Sequence, residues 1–189
     1  MISIRHRVRT TAFHEAGHTF AAVHFGIPFL NVWILRRTDY ENRAGESLGQ
    51  LTRINPVNKA DYFGKIDEAK AEAILAFCGP LAECFAYPGQ LDPGLQTDDL
   101  TDARSILRFA TTPCTPTNQN PFLDEDLNST KTQVDQLLNE CGHAAEALVN
   151  ENRYAITRLA EALLAQWRIP AEEVKWLMTD SSPTQPPVT

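Results

Sequence analysis

Residues 12–26 read AFHEAGHTFAAVHFG, and the fold turns on whether that stretch is a helix. Two histidines four positions apart, His14 and His18, project from one face of a helix at about 3.6 residues per turn, close enough to share one metal ion. Glu15 is rotated from His14 by about 100°. That offset carries its carboxylate toward a water beside the metal rather than onto the metal itself, where it can take a proton. The flanking residues favour the helix: Thr10 and Thr11 offer N-cap hydroxyls, and Phe13, Ala16, Gly17, Phe20 and Val23 recur at helical spacing. Gly26 followed by Pro28 supplies a stop. The pattern predicts a helix from about residue 10 to residue 25.

A hydrolytic zinc site takes three protein ligands and keeps one position for water, so a third ligand has to come from elsewhere in the chain. Cysteine fits poorly. Cys78, Cys84, Cys114 and Cys141 form no C-x-x-C pair and no Cys-His spacing of a closed structural site. Among the acidic residues, the segment Gly94 to Ala110 reads as a helix beginning near Thr97, with Asp98 and Asp99 in its first turn. Asp98 shares a mostly polar stripe with Asp102, Ser105 and Phe109, and complements the helix dipole. Asp99 shares an apolar stripe with Ala103, Ile106 and Ala110, which should face the core. A carboxylate there is costly unless a cation meets it, so Asp99 is the third-ligand candidate. Glu83, alone in the apolar run from Ile74 to Leu81 and beyond, is the rival. It would be satisfied equally by accepting a hydrogen bond from a ligating imidazole.

The remaining histidines read as ordinary. His24 is six positions past His18 on the same helix, His143 sits in a helix of alternating acids and alanines, and His6 falls in an N-terminal arm. That arm carries Arg5, Arg7 and Arg9 and is expected to be a solvated tail. It is too short and too polar for a signal peptide.

Beyond the motif helix, Asn31–Leu35 and Leu48–Ile54 read as two short strands joined by a polar loop, Arg36 to Ser47, near the site. A long helical stretch from about Lys59 to Tyr87 follows, and Gly79-Pro80 should kink or split it. Residues 111–121, TTPCTPTNQNP, form a loop by composition. Helices are expected over about Ser129 to Val149 and Glu151 to Trp167, with a short one after Pro170. The fold class is mainly α with a small β-hairpin or sheet. Residues 1–180 form a single domain, and residues 181–189, with three prolines, form a disordered C-terminal tail.

With 189 residues and 43% hydrophobic content, the chain can bury a sizeable core, and it has no apolar run long enough to cross a membrane. A net charge of −7 disfavours nucleic acid and anionic lipid as partners. Four scattered cysteines imply no disulfide framework. A soluble, cytoplasmic protein is the expectation.

Three stretches taken together, AFHEAGHTFAAV, the small-residue run CGPLAE and TDDLTDA, resemble in order and spacing the peptidase domain of FtsH-like zinc metallopeptidases. The closing stretch NENRYAITRLAEALLAQWRIPAEEVKWLM is similar to that family's last helices, so the likeness covers most of residues 9–179. The resemblance implies an FtsH-peptidase-like helical fold, with His14, His18 and Asp99 as zinc ligands and Glu15 as general base. It also implies that the strand Leu48–Ile54 lies beside the cleft, where an edge can pair with an extended peptide. The substrate it implies is a peptide or unfolded protein segment.

Departures from the family pattern bear on the partners. No G-x-x-x-x-G-K-[ST] phosphate loop occurs in these 189 residues, and Cys78 and Pro80 replace residues of the small-residue run. Cleavage by the chain alone is therefore expected to be ATP-independent, with a homo-oligomer or a separate ATPase as candidate partners. Three other readings share the motif. A deformylase would need a cysteine ligand upstream of His14, and every cysteine lies downstream. A binding module or adaptor would not need Glu15. A partner-activated subunit would cleave only with its ATPase added.

Overall fold

The computed structural model describes residues 4–40, 48–55, 57–88, 93–112 and 124–179. The expected tail 181–189, most of the loop at 111–121, and residues 41–47 of the loop after the first strand lie outside the described residues. What is described is mainly helical with one small antiparallel sheet. In chain order it comprises α1 (Ile4–His24), β1 (Phe29–Ile34), the single turn α2 (Arg37–Tyr40) and β2 (Gly49–Arg53). A 3-10 turn at Lys59–Tyr62 leads into α3 (Ile66–Ala86), and α4 (Pro93–Thr111), α5 (Asp124–Glu151) and α6 (Arg153–Gln166) follow. The chain closes on β3 (Arg168–Pro170) and α7 (Ala171–Thr179).

The motif helix is longer than its sequence signals suggest. It starts at Ile4, so Thr10 and Thr11 stand inside it rather than capping it. Both hydroxyls donate to the Arg7 carbonyl at 2.9 Å, spending their hydrogen-bonding capacity on the preceding turn. Arg5, Arg7 and Arg9 are accordingly helical residues, not a solvated tail, and Arg9 donates to the Tyr87 hydroxyl at 2.8 Å. From Thr10 to Ala22 every residue of α1 is buried, so the helix is enclosed on all sides rather than along one stripe. Gly17 shows how tightly. A β-carbon there would overlap the Cys78 carbonyl oxygen and come within 2.8 Å of the Ala82 β-carbon, so α1 and α3 cross where only glycine fits.

Pro80 neither ends nor splits α3, which is continuous from Ile66 to Ala86. The proline forfeits one backbone hydrogen bond. That loss is outweighed because α3 packs on both sides, through Cys78 and Ala82 against α1 and through Ala69, Ala73 and Ala76 against α4 and α5. α4 likewise begins earlier than Thr97, at Pro93, so Asp98 and Asp99 lie in its second turn and not its first.

The sheet has the order β2-β1-β3, both pairings antiparallel. β3 has no counterpart in the sequence reading, because three residues are too few to show an alternation. It is secured by Ile169, fully buried opposite Val32. The register of β1 on β2 shifts between Phe29 and Asn31, leaving Leu30 as an exposed bulge residue. β2 is an edge strand of this sheet.

Two groups of buried apolar side chains result. One joins α1, β1, β3, α6 and α7 around Val32, Ile156, Leu159, Leu163 and Ile169. The other joins α3, α4 and α5 around Leu107, Ile106, Leu137 and Leu138. Full burial of one such side chain contributes about 1.5–3 kcal/mol. α3 belongs to both groups, and the HEAGH face of α1 lies where they meet.

Candidate metal centre

His14 and His18 leave α1 one turn apart, and Asp99 reaches them from α4. One ligating atom from each lies within 4.8 Å of the others. The two Nε2 atoms are 2.9 Å apart. Asp99 Oδ2 stands 3.3 Å from His14 Nε2, and Oδ1 stands 3.5 Å from His18 Nε2. The apolar stripe expected to aim Asp99 inward is present, with Ala103, Ile106 and Ala110 buried, whereas Asp98 is exposed.

The outward nitrogens of the two rings are held by different partners. His18 Nδ1 donates to the Leu75 carbonyl oxygen at 2.9 Å. A carbonyl only accepts, so the proton is on Nδ1, and Nε2 of the neutral ring turns its lone pair toward Asp99 and His14. His14 Nδ1 faces Glu83 Oε2 at 3.5 Å, and Glu83 is only 2% exposed. Glu83 therefore stands on the far side of His14 from Asp99 and outside the converging group. It occupies the place of a carboxylate that orients a ligating imidazole.

Glycine makes the grip on His18 possible. A β-carbon at position 79 would run into His18 Nε2 and lie 2.8 Å from its Cδ2, so the α3 backbone lies directly against the ring. Glu15 is approached as closely from the sheet. A β-carbon at Gly49 would lie 2.8 Å from Glu15 Cγ, and Leu51 of the same strand gives its backbone N–H to the Glu15 carboxylate. The strand thus lies beside the acidic residue.

Electrostatics describe a site short of one cation. Burial pulls the His14 imidazole down, but the carboxylates of Asp99, Glu83 and Glu15 outweigh it and raise the ring from 6.5 to about 10. Burial pushes Asp99 up, and the two imidazoles overcome that and hold it well below the usual carboxylate range. Burial dominates at Glu15 and raises it, against the opposing pull of His14 and His18. Even so, Asp99 Oδ2 and His14 Nδ1 are buried and make no well-formed hydrogen bond, only the approaches of 3.3 Å to His14 Nε2 and 3.5 Å to Glu83. Buried polar atoms seldom stay unpaired. Two imidazole nitrogens and a carboxylate converging on one point form a donor set that a divalent cation, on displacing the ring proton, satisfies.

Two residues that carry much of this arrangement are absent from the motif. Leu75 acts through its backbone, which a sequence pattern does not display. Gly79 was legible only as a helix breaker, although its effect is close approach. His24 and His143 are exposed and stand apart from the group, as their positions suggested. No protein-family model matches the chain, and a comparison with curated proteins finds no match.

Proposed function

We propose that this chain is a zinc-dependent endopeptidase of the FtsH-peptidase-like type, cleaving peptides or unfolded protein segments without ATP. The observation that carries the reading is the meeting of His14, His18 and Asp99 around one point, with Glu15 in the next position along α1. The mainly helical architecture with one small antiparallel sheet agrees with it, and so does the edge strand β2 beside Glu15. No described helix is long and apolar enough to cross a membrane.

His14, His18 and Asp99 would hold the ion. Bound zinc supplies an acidified water and polarises the scissile carbonyl. Glu15 would take a proton from the attacking water and return it to the leaving amine, so one carboxylate would work first as base and then as acid. Strand β2, at the edge of the described sheet, offers a backbone beside which an extended substrate can align. A peptide substrate should be turned over by the purified chain, stopped by a chelator and restored by added zinc. Turnover indifferent to chelation would remove the metal from the reaction.

The ion also has to displace a proton. With His14 raised to about 10, the metal-free ring is an imidazolium at neutral pH. Its contribution to the stability of the metal-free fold is present in full below about 6.5 and is lost as pH rises through about 10. A metal ion takes the neutral ring, so zinc affinity should climb with pH across that window. Calorimetric titration with zinc near pH 7, in buffers of different ionisation enthalpy, should report release of about one proton from the ring. Affinity independent of pH between 6 and 8 would show that zinc displaces no proton from His14.

A further inference from the structure

Strand β2 ends on a part-buried ion pair that the site does not account for. Arg53, its last residue, donates from Nη1 and Nη2 to Oε2 and Oε1 of Glu72 on α3, at 2.8 and 2.6 Å. The Tyr62 hydroxyl donates to the same Oε1 at 2.9 Å. Glu72 is only 7% exposed, and Arg53 Nε is buried with no hydrogen-bond partner. Taking the Glu72 carboxylate and part of the Arg53 guanidinium out of water is costly, and apolar side chains of similar size often serve stability as well. Net stability is thus a weak reason for such a pair, and its location supplies a stronger one.

The two ends of the pair belong to the two halves of the candidate site. On the strand side, two residues before Arg53, Leu51 gives its N–H to Glu15, and Gly49 abuts the same side chain. On the helix side, three residues after Glu72, the Leu75 carbonyl fixes His18, and Gly79 and Glu83 follow along α3 against His18 and His14. Among the described strands β2 is held laterally by β1 alone, since it is an edge. A two-pronged guanidinium–carboxylate contact is directional as well as attractive. Reacting groups misplaced by about 1 Å can cost a hundredfold in rate.

We propose that Arg53 and Glu72 form a positioning pair, which locks the strand that holds Glu15 to the helix that holds His18 and His14. The catalytic consequence rests on the endopeptidase reading; the mechanical one does not. Removing one charge would strand the other, so the informative variant replaces both, Arg53→Met with Glu72→Leu. A second, Arg53→Lys, keeps the charge but loses the fork.

The first readout is amide hydrogen exchange by NMR on the zinc-loaded chain. In the double variant, exchange at Leu51 should rise at least tenfold while the α6 amides of Ile156 and Leu159 keep their protection, with a smaller rise at Leu51 in Arg53→Lys. In a peptide-cleavage assay, kcat should fall at least tenfold at unchanged KM and unchanged zinc content. Unchanged Leu51 protection overturns the proposal, as does an equal loss of protection at Leu159, which would make the pair a general strut. Loosened Leu51 with unaltered kcat overturns the positioning role. If the wild-type chain cleaves nothing, the endopeptidase reading fails, while the exchange result still decides whether the pair locks the strand.

Discussion

Replacing Glu15 by Gln is expected to lower peptide turnover by about a hundred- to ten-thousandfold, the usual contribution of a positioned general base, while zinc content stays at one ion per chain. The substitution keeps the shape and the Leu51 contact. An amide oxygen can accept that N–H as the carboxylate does, and the space beside Gly49 is filled by the same atoms. What it removes is basicity. Glu15 is not among the three converging side chains, so the ion should be indifferent to the change apart from the loss of a neighbouring negative charge. Turnover of Glu15→Gln at the wild-type rate would take Glu15 out of the mechanism. Loss of zinc along with turnover would recast it as a ligand.

The second large effect concerns a residue with no side chain. Gly79→Ala would place a β-carbon inside the contact distance of the His18 ring. Relief is blocked on both sides. The ring is tied through Nδ1 to Leu75, and the α3 backbone is fixed against α1 where Gly17 meets Cys78. The ring must therefore turn out of the position in which its Nε2 faces Asp99. Losing the support of a ligating imidazole typically costs about 10–100-fold in metal affinity, and displacing the ligand outright should reach the upper end or beyond. Helix propensity works in the opposite sense, since alanine favours α3 by about 1 kcal/mol over glycine. A zinc titration of Gly79→Ala should show weakened binding in a chain whose far-ultraviolet circular dichroism is intact. Wild-type affinity would mean that the ring has room the packing does not show.

These two residues mark what the sequence can and cannot display. The spacing of His14, Glu15 and His18 is local, and a single helix turns it into geometry without help. Asp99 was separable from Asp98 because one residue of offset on a helix exchanges an apolar stripe for a polar one, and Ala103, Ile106 and Ala110 lie on the stripe that is buried. The strands Phe29–Ile34 and Gly49–Arg53 differ from their expected spans by only one or two residues at either end.

Where the reading fell short, the physics was non-local or two-sided. Thr10 and Thr11 look like caps because their hydroxyls bond to backbone. Inside a helix the same hydroxyls bond to a carbonyl one turn back, and the pattern does not say which. Pro80 looks like a break because local cost is visible in sequence, whereas the packing of α3 against α1, α4 and α5 that outweighs it is not. β3 exists because Ile169 finds Val32, far away in the chain. The contact between Arg53 and Glu72 likewise joins two elements that nothing in either segment marks as neighbours.

Diffraction from zinc-loaded crystals at wavelengths on either side of the zinc absorption edge tests the central claim most directly. The account predicts one anomalous peak per chain, about 2 Å from His14 Nε2, from His18 Nε2 and from a carboxylate oxygen of Asp99. No peak between these three side chains, or a peak with Asp99 turned away from it, would contradict the account.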